Sequence, residues 1–206
     1  MNPYIASVFL ILVLGALLFF FGFKRKLLSS FNVQELVQIA LFCSLLYAAI
    51  LPFKLGLGRI PFANSFFFAI PFTAVLVIGI RVTPRFGATT LILVGQSLLS
   101  QATSTGINPL WWPYVLLASF LLEGYFLVTG NYLQKLTNAI GAGILRGLVM
   151  NLYFYLFSAP YIWHQFYAPW FIFLQTTQGV IGSGIGAAIG FSLSRPIIRA
   201  YRQGGI

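Results

Sequence analysis

The chain alternates long, unbroken apolar runs with short breaks that collect its Lys, Arg, Gly and Pro residues. The runs fall at Tyr4 to Phe23, Val33 to Phe53, Asn64 to Ile80, Gly87 to Gln101, Leu110 to Gly130, Thr137 to Ser158 and Trp170 to Ser194. A hydrocarbon layer of roughly 30 Å takes about 20 helical residues to cross. No water is present there to satisfy peptide groups, so only helices or closed barrels span it. These runs are continuous rather than alternating with period two. The pattern therefore predicts an all-α integral membrane protein with seven spans. The third and fourth are the least regular, because Pro71 interrupts one and the other is short for a full crossing.

The first run is followed at once by Lys24, Arg25 and Lys26, and no basic segment precedes it. That is the wrong polarity for a cleavable signal peptide. It predicts a retained anchor over residues 1–28, followed by a six-helix membrane-embedded domain over residues 29–206. Asn32, with Glu35 three residues on, matches a capping box at the head of the second span. That gives one of the chain's two acidic residues a local role.

Composition strengthens the membrane reading: 59% of residues are hydrophobic, 17% aromatic and 7% charged. The net charge of +10 sorts by topology. With the amino terminus outside and the carboxyl terminus in the cytoplasm, the inner side collects Lys24, Arg25, Lys26, Arg81, Arg85, Lys135, Arg195, Arg199 and Arg202. The outer side holds Lys54 and Arg59. Basic residues favour the cytoplasmic side, so this excess predicts a multi-pass protein of the cell membrane whose charges meet anionic lipid headgroups. No nucleic-acid partner is needed to explain them. Cys43, the single cysteine, cannot form a disulfide within the chain and is expected to be a small buried packing residue.

The four tryptophans, Trp111, Trp112, Trp163 and Trp170, all fall on the outer side. Either they form an interfacial belt or they wall a pocket for a planar ligand. Glu123 and Arg146 lie in the middle of successive antiparallel spans. A charge at mid-bilayer costs about 2.5–3.5 kcal/mol, so such residues face the interior and find a partner. Helical spacing places Trp112, Leu116, Ser119 and Glu123 on one face, and Arg146, Met150 and Tyr153 on another. Two readings follow. In one, Glu123 and Arg146 form a structural ion pair, or Glu123 bonds to backbone. In the other, one of them floors a ligand site open to the outside, with Trp112, Asn151, Tyr153, Tyr155, Gln175 and Gln178 as walls and Trp163 and His164 at the outer loop. A lone interfacial His such as His164, in WHQFYAPW, is more often a hydrogen-bonded surface residue than a ligand or base.

Small residues recur at four-residue intervals at Ala40, Ser44 and Ala48, at Gly182, Gly186 and Gly190, and at Gly143 and Gly147. Such ladders let helix backbones approach closely in lipid. Contact within the bundle is the expectation for the glycines. For Ala40, Ser44 and Ala48 a partner protein competes equally.

The Ala-x-x-x-Ser-x-x-x-Ala ladder on the first helix of a six-helix core, beginning from a cytoplasmic helix head, resembles the substrate-binding S components of energy-coupling factor (ECF) transporters. The likeness covers residues 31 to 200. It implies a non-enzymatic, cofactor-free vitamin-binding subunit of an ABC-type uptake system. In that family the ladder docks on a transmembrane coupling (T) subunit, which works with two ATPase subunits. The resemblance also implies a ligand bound toward the outside, covered by the loop KLGLGRIPFANS, residues 54 to 65. The extra first span departs from the common six-helix members.

Absent motifs agree with a transport role. The chain has no phosphate-binding G-x-x-x-x-G-K-[ST] loop, no H-E-x-x-H and no G-x-S-x-G. With a single histidine, a metal site is not expected. A membrane-embedded enzyme needs polar catalytic groups at one depth, and only Glu123, Arg146, Gln96 and Asn151 are candidates. An aromatic pocket with one carboxylate suits a flat, cationic heteroaromatic, with thiamine or its hydroxymethylpyrimidine precursor first. The segment GAGILRGLVMNLYFY is similar to the branch assigned to that moiety. Arg146 alternatively marks an anionic vitamin such as biotin, pantothenate or a folate. Riboflavin, or a role as a non-transport assembly subunit, is the remaining alternative.

Overall fold

The structure is a computed structural model and describes residues 3–27, 30–56, 64–103, 108–130 and 132–203. No strand occurs among the described residues. Among the described residues eight α-helices follow one another: α1 (Pro3–Lys24), α2 (Val33–Leu55), α3 (Asn64–Val82), α4 (Ala88–Ala102), α5 (Trp112–Thr129), α6 (Leu136–Tyr153), α7 (Ala159–Ile162) and α8 (Pro169–Gln203). A 3₁₀ turn, Pro109–Trp111, leads into α5, and a π-helical turn, Phe154–Ser158, joins α6 to α7. Among the described residues six helical segments are long and apolar enough to cross a membrane, which makes this a multi-pass membrane protein.

The expected fourth span is not among those six. α4 has 15 residues, about 22 Å at 1.5 Å per residue, short of the length a crossing needs. It still runs between the two ends of the bundle. Its first turn meets α5 near that helix's end, through Thr89 and Glu123. Its last residues meet the entry to α5, where the Asn108 N–H donates to Gln101 Oε1 at 2.7 Å. Pro71, expected to interrupt the third span, lies inside a continuous α3. A proline removes one helical hydrogen bond, and neighbouring helices in a membrane bundle tolerate that loss.

The capping box forms as expected. Asn32 Oδ1 accepts from the Glu35 N–H at 2.7 Å, and Glu35 Oε2 accepts from the Asn32 N–H at 2.9 Å. The same carboxylate receives Arg85 Nε at 2.6 Å, and Arg85 Nη1 donates to the Ser30 carbonyl at 3.1 Å. These bonds join the head of α2 to the turn between α3 and α4. Lys24 to Lys26, Arg81, Lys135, Arg195 and Arg199 mark the same end of the bundle, called here the basic end. Arg81 is not only a headgroup contact: its guanidinium lies 4.0 Å over the Phe191 ring and bonds the Phe191 carbonyl at 2.7 Å and the Ser194 hydroxyl. The side chains of Lys54 and Arg202, and the whole of Arg59, lie outside the described residues.

Glycine decides how the helices meet. A Cβ on Gly182 would stand 2.6 Å from the Phe66 carbonyl oxygen, and at Gly186 and Gly190 it would strike the Ile70 and Ala74 carbonyls. The partners advance by four residues in step, so α3 and α8 run parallel in register. On another face of α8, Gly143 of α6 meets the Ser183 carbonyl and Gly147 meets the Gly179 carbonyl, each at 2.5 Å from a built Cβ. There the partner numbers run in opposite directions, so α6 and α8 are antiparallel. Both glycine ladders are spent on contacts within the bundle. At these separations dispersion and Cα–H···O contacts replace the hydrophobic drive that lipid does not provide.

α1 docks along α5 by one stripe. Gly15 receives the Phe120 ring and Leu18 reaches Gly124, while Gly22 receives Phe86 from the turn between α3 and α4. Tyr4 donates to the Leu110 carbonyl at 2.8 Å, and Ser7 Oγ lies 3.0 Å from the Tyr153 hydroxyl. Its other face exposes Phe9, Leu10, Phe20 and Phe23. Cys43 is buried between α2 and α4, its thiol donating to the Ile92 carbonyl at 3.4 Å and abutting Gly95.

Gly186→Ala should lower stability by about 1–3 kcal/mol, because backbone blocks the new methyl group. Gly184→Ala, whose Cβ would meet only Ile144 at 3.7 Å, should be neutral or slightly stabilising through helix propensity. Thermal unfolding of the two variants in detergent checks the contrast, and equal midpoints would refute this account of the α3–α8 contact.

Candidate functional site

A cavity of about 610 Å³ lies among α2, α3, α4, α5 and α6, toward the end that carries the tryptophans. That volume is within the usual range of roughly 300–1,000 Å³ for small-molecule sites. Ile50 and Phe53 enter from α2, Phe68 and Phe72 from α3, Leu93 from α4, and Val115 and Ala118 from α5. Polar groups come from Asn64, from Gln96, Ser97, Ser100 and Gln101 of α4, and from Asn108. Trp111, Tyr114 and Trp163 complete the wall. The Trp111 and Trp163 ring centroids are 5.0 Å apart, and Phe154 lies 5.3 Å from Trp163, giving an aromatic rim. α8 contributes no lining residue.

Arg146 projects from α6 into the same cavity and is 4% exposed. Its Nη1 donates to Thr73 Oγ1 at 3.0 Å and to Ser183 Oγ at 3.2 Å, and the guanidinium carbon lies 4.0 Å over the Phe72 ring. Its Nε has no hydrogen-bond partner. The hydroxyls of α3 and α8 and the ring face of Phe72 hold the group in place without neutralising it.

Glu123 does not pair with Arg146. Its Oε1 accepts from the backbone N–H of Thr89 at 3.0 Å and of Thr90 at 3.4 Å. These are first-turn donors of α4, whose N-cap is Gly87, in the left-handed region at φ 88 and without a side-chain cap. A glycine cannot supply the cap, so a carboxylate from the neighbouring helix does. It satisfies orphan donors and meets the positive end of the helix dipole. Of the two sequence readings, the backbone-bonded Glu123 describes what is seen. Depth explains the missing pair. Glu123 stands six residues before the end of α5, and Arg146 ten residues after the start of α6, a mismatch of about 6 Å along the bundle.

The remaining candidates divide as well. Trp163 lines the cavity, whereas Trp112, Asn151, Tyr153, Tyr155, His164, Gln175 and Gln178 do not. Asn151 bonds the Gly147 carbonyl at 2.7 Å and accepts from Ser65 at 3.3 Å. Tyr153 meets Ser7 of α1, and its ring centroid lies 5.1 Å from that of Phe157. Tyr155 packs on Tyr167 and Phe171. Gln175 is buried within α8, Gln178 is half-buried there, and His164 is an exposed loop residue with φ 54. The tryptophans split between the two roles proposed for them: Trp111 and Trp163 wall the cavity, while Trp170 is 62% exposed. The Ala40, Ser44 and Ala48 ladder faces outward from the bundle.

The main omission of sequence reasoning was the polar face of α4. Gln96, Ser97, Ser100 and Gln101 fall at i, i+1, i+4 and i+5, one face of a helix. A polar stripe at that spacing in so apolar a chain has to face something other than lipid. The segment was read as a span short for a full crossing and Gln96 was named alone, so the stripe as a whole went unread.

Glu123→Ala should loosen the start of α4 at a cost of about 0.5–2 kcal/mol, as for other lost caps. Cys43 packs on that helix, so its reaction with a maleimide should accelerate on warming at a lower temperature than in the native chain. An unchanged labelling profile would show that the cap is not a structural support.

No family model, curated protein or solved structure matches the chain.

Proposed function

We propose that this chain is a membrane-embedded substrate-binding subunit of a vitamin uptake transporter of the ECF type. The observation that carries the reading is the 610 Å³ cavity with its aromatic rim, an apolar body and a few convergent polar groups. Only one end of the bundle is strongly basic, and by the positive-inside rule that end faces the cytoplasm. The cavity then lies toward the outside, where a scarce solute has to be captured.

Two further features support it. The chain carries no phosphate-binding loop, so energy has to come from partners: in this reading, a transmembrane coupling subunit and two ATPase subunits. The outward ladder of Ala40, Ser44 and Ala48 gives a helix face on which another backbone can lie closely. Leu41 and Leu45, also exposed, flank it. Of the loop of residues 54–65, expected to cover the ligand, residues 57–63 lie outside the described residues. Candidate solutes are thiamine, hydroxymethylpyrimidine, biotin, pantothenate, riboflavin and folate.

Intrinsic tryptophan fluorescence of the purified chain, titrated with those solutes and corrected for their absorbance, tests the proposal. Saturable quenching at nanomolar to micromolar concentration is expected for one of them. Trp111→Phe and Trp163→Phe should reduce the amplitude, whereas Trp112→Phe and Trp170→Phe should not. A saturable response that persists undiminished in the Trp111, Trp163 double variant would place the site elsewhere, and no response to any solute would favour an assembly role.

A further inference from the structure

Arg146 is a buried cation without a counter-charge. The chain has two acidic residues, and each is committed elsewhere: Glu35 to Arg85 and the head of α2, and Glu123 to the head of α4. No carboxylate lines the cavity. The three groups that hold Arg146 are two hydroxyls and a ring face, all of them neutral. Leaving an ion unpaired in such a place is costly, and a cationic ligand would add a second charge of the same sign.

The guanidinium presents a specific shape. Nη1 is occupied by Thr73 and Ser183, whereas Nε, on the opposite edge, has no partner. The Nε and Nη2 N–H groups of an arginine lie side by side, a fork that matches the two oxygens of a carboxylate. A second orphan stands on the same wall: Asn64 Oδ1, an acceptor, also lacks a partner. Between these polar points the lining is Phe68, Phe72, Leu93, Val115 and the tryptophan rim.

We infer that the cavity takes a small organic monoanion whose carboxylate pairs with Arg146, whose apolar or aromatic body lies against the phenylalanines, and which offers an N–H or O–H donor to Asn64. This deepens the capture reading and rests on it. It also reverses the order of substrates suggested by the sequence. The thiamine preference assumed a carboxylate in the wall, and Glu123 is outside the lining.

The test compares acids with their own amides, which preserve shape and remove the charge. The purified full chain in lipid nanodiscs is titrated calorimetrically with biotin, pantothenate, nicotinate and indole-3-acetate, each beside its primary amide, and with thiamine as the cation. At least one acid should bind saturably and at least tenfold more tightly than its amide. Arg146→Gln should abolish that preference and Arg146→Lys should retain part of it. The acid-to-amide ratio on the native chain needs no variant, so a folding defect in Arg146→Gln does not disable the test. Amides or thiamine binding as tightly as the acids would overturn the anion inference and leave the capture reading standing. Binding of none of the nine by a chain that unfolds cooperatively would overturn both.

Discussion

The architecture depends on backbone touching backbone along α8. Lipid gives helices no hydrophobic reason to associate, so contact has to come from close, well-matched surfaces. Gly182, Gly186 and Gly190 bring α8 against the carbonyls of α3, and Gly143 and Gly147 bring α6 against α8 from another side. Three helices are thereby locked at separations that allow no side chain between them. Arg146 and Arg81 exploit this closeness, since each reaches across from its own helix to groups on α8. The rest of the bundle, α2, α4 and α5, meets this triplet through larger side chains and leaves room between.

The scarcity of acidic residues has an ordered outcome. Both carboxylates serve helix starts at the basic end, Glu35 for its own helix and Glu123 for a neighbouring one. A helix start in a membrane protein exposes amide hydrogens that water cannot fully satisfy, and a negative charge there is also favoured by the dipole. Having spent its acids at that end, the chain keeps the far half of the bundle free of negative side chains. The electrostatics of the cavity follow from this placement as much as from Arg146 itself.

Much of this was legible in the sequence. Apolar run length located the long helices, although α8 runs nine residues past the expected end at Ser194, the Asn32 and Glu35 pair identified a capping box, and four-residue glycine spacing identified close packing. Each is a local or strictly periodic signal. The site was less legible, because it depends on which faces meet across the bundle. Glu123 and Arg146 looked like partners when depth was judged from span centres, but span ends are uneven and their levels differ. Trp112 was chosen over Trp111 on an assumed face, while a 3₁₀ turn before α5 sets which indole points inward. Gln101, with Ser97 and Ser100, carried the strongest missed signal, since Gln96 was the one member of that polar stripe singled out from the sequence.

The separation of α8 from the cavity has an evolutionary consequence. The glycines and carbonyls that lock α3, α6 and α8 together are not among the residues that contact the interior space, although Phe72, Leu93, Val115 and Met150 both pack the core and line the cavity. Substitutions along the polar face of α4 alter size and hydrogen bonding inside without disturbing a single glycine–carbonyl contact. A chain organised this way can diversify what it recognises while its scaffold drifts very little.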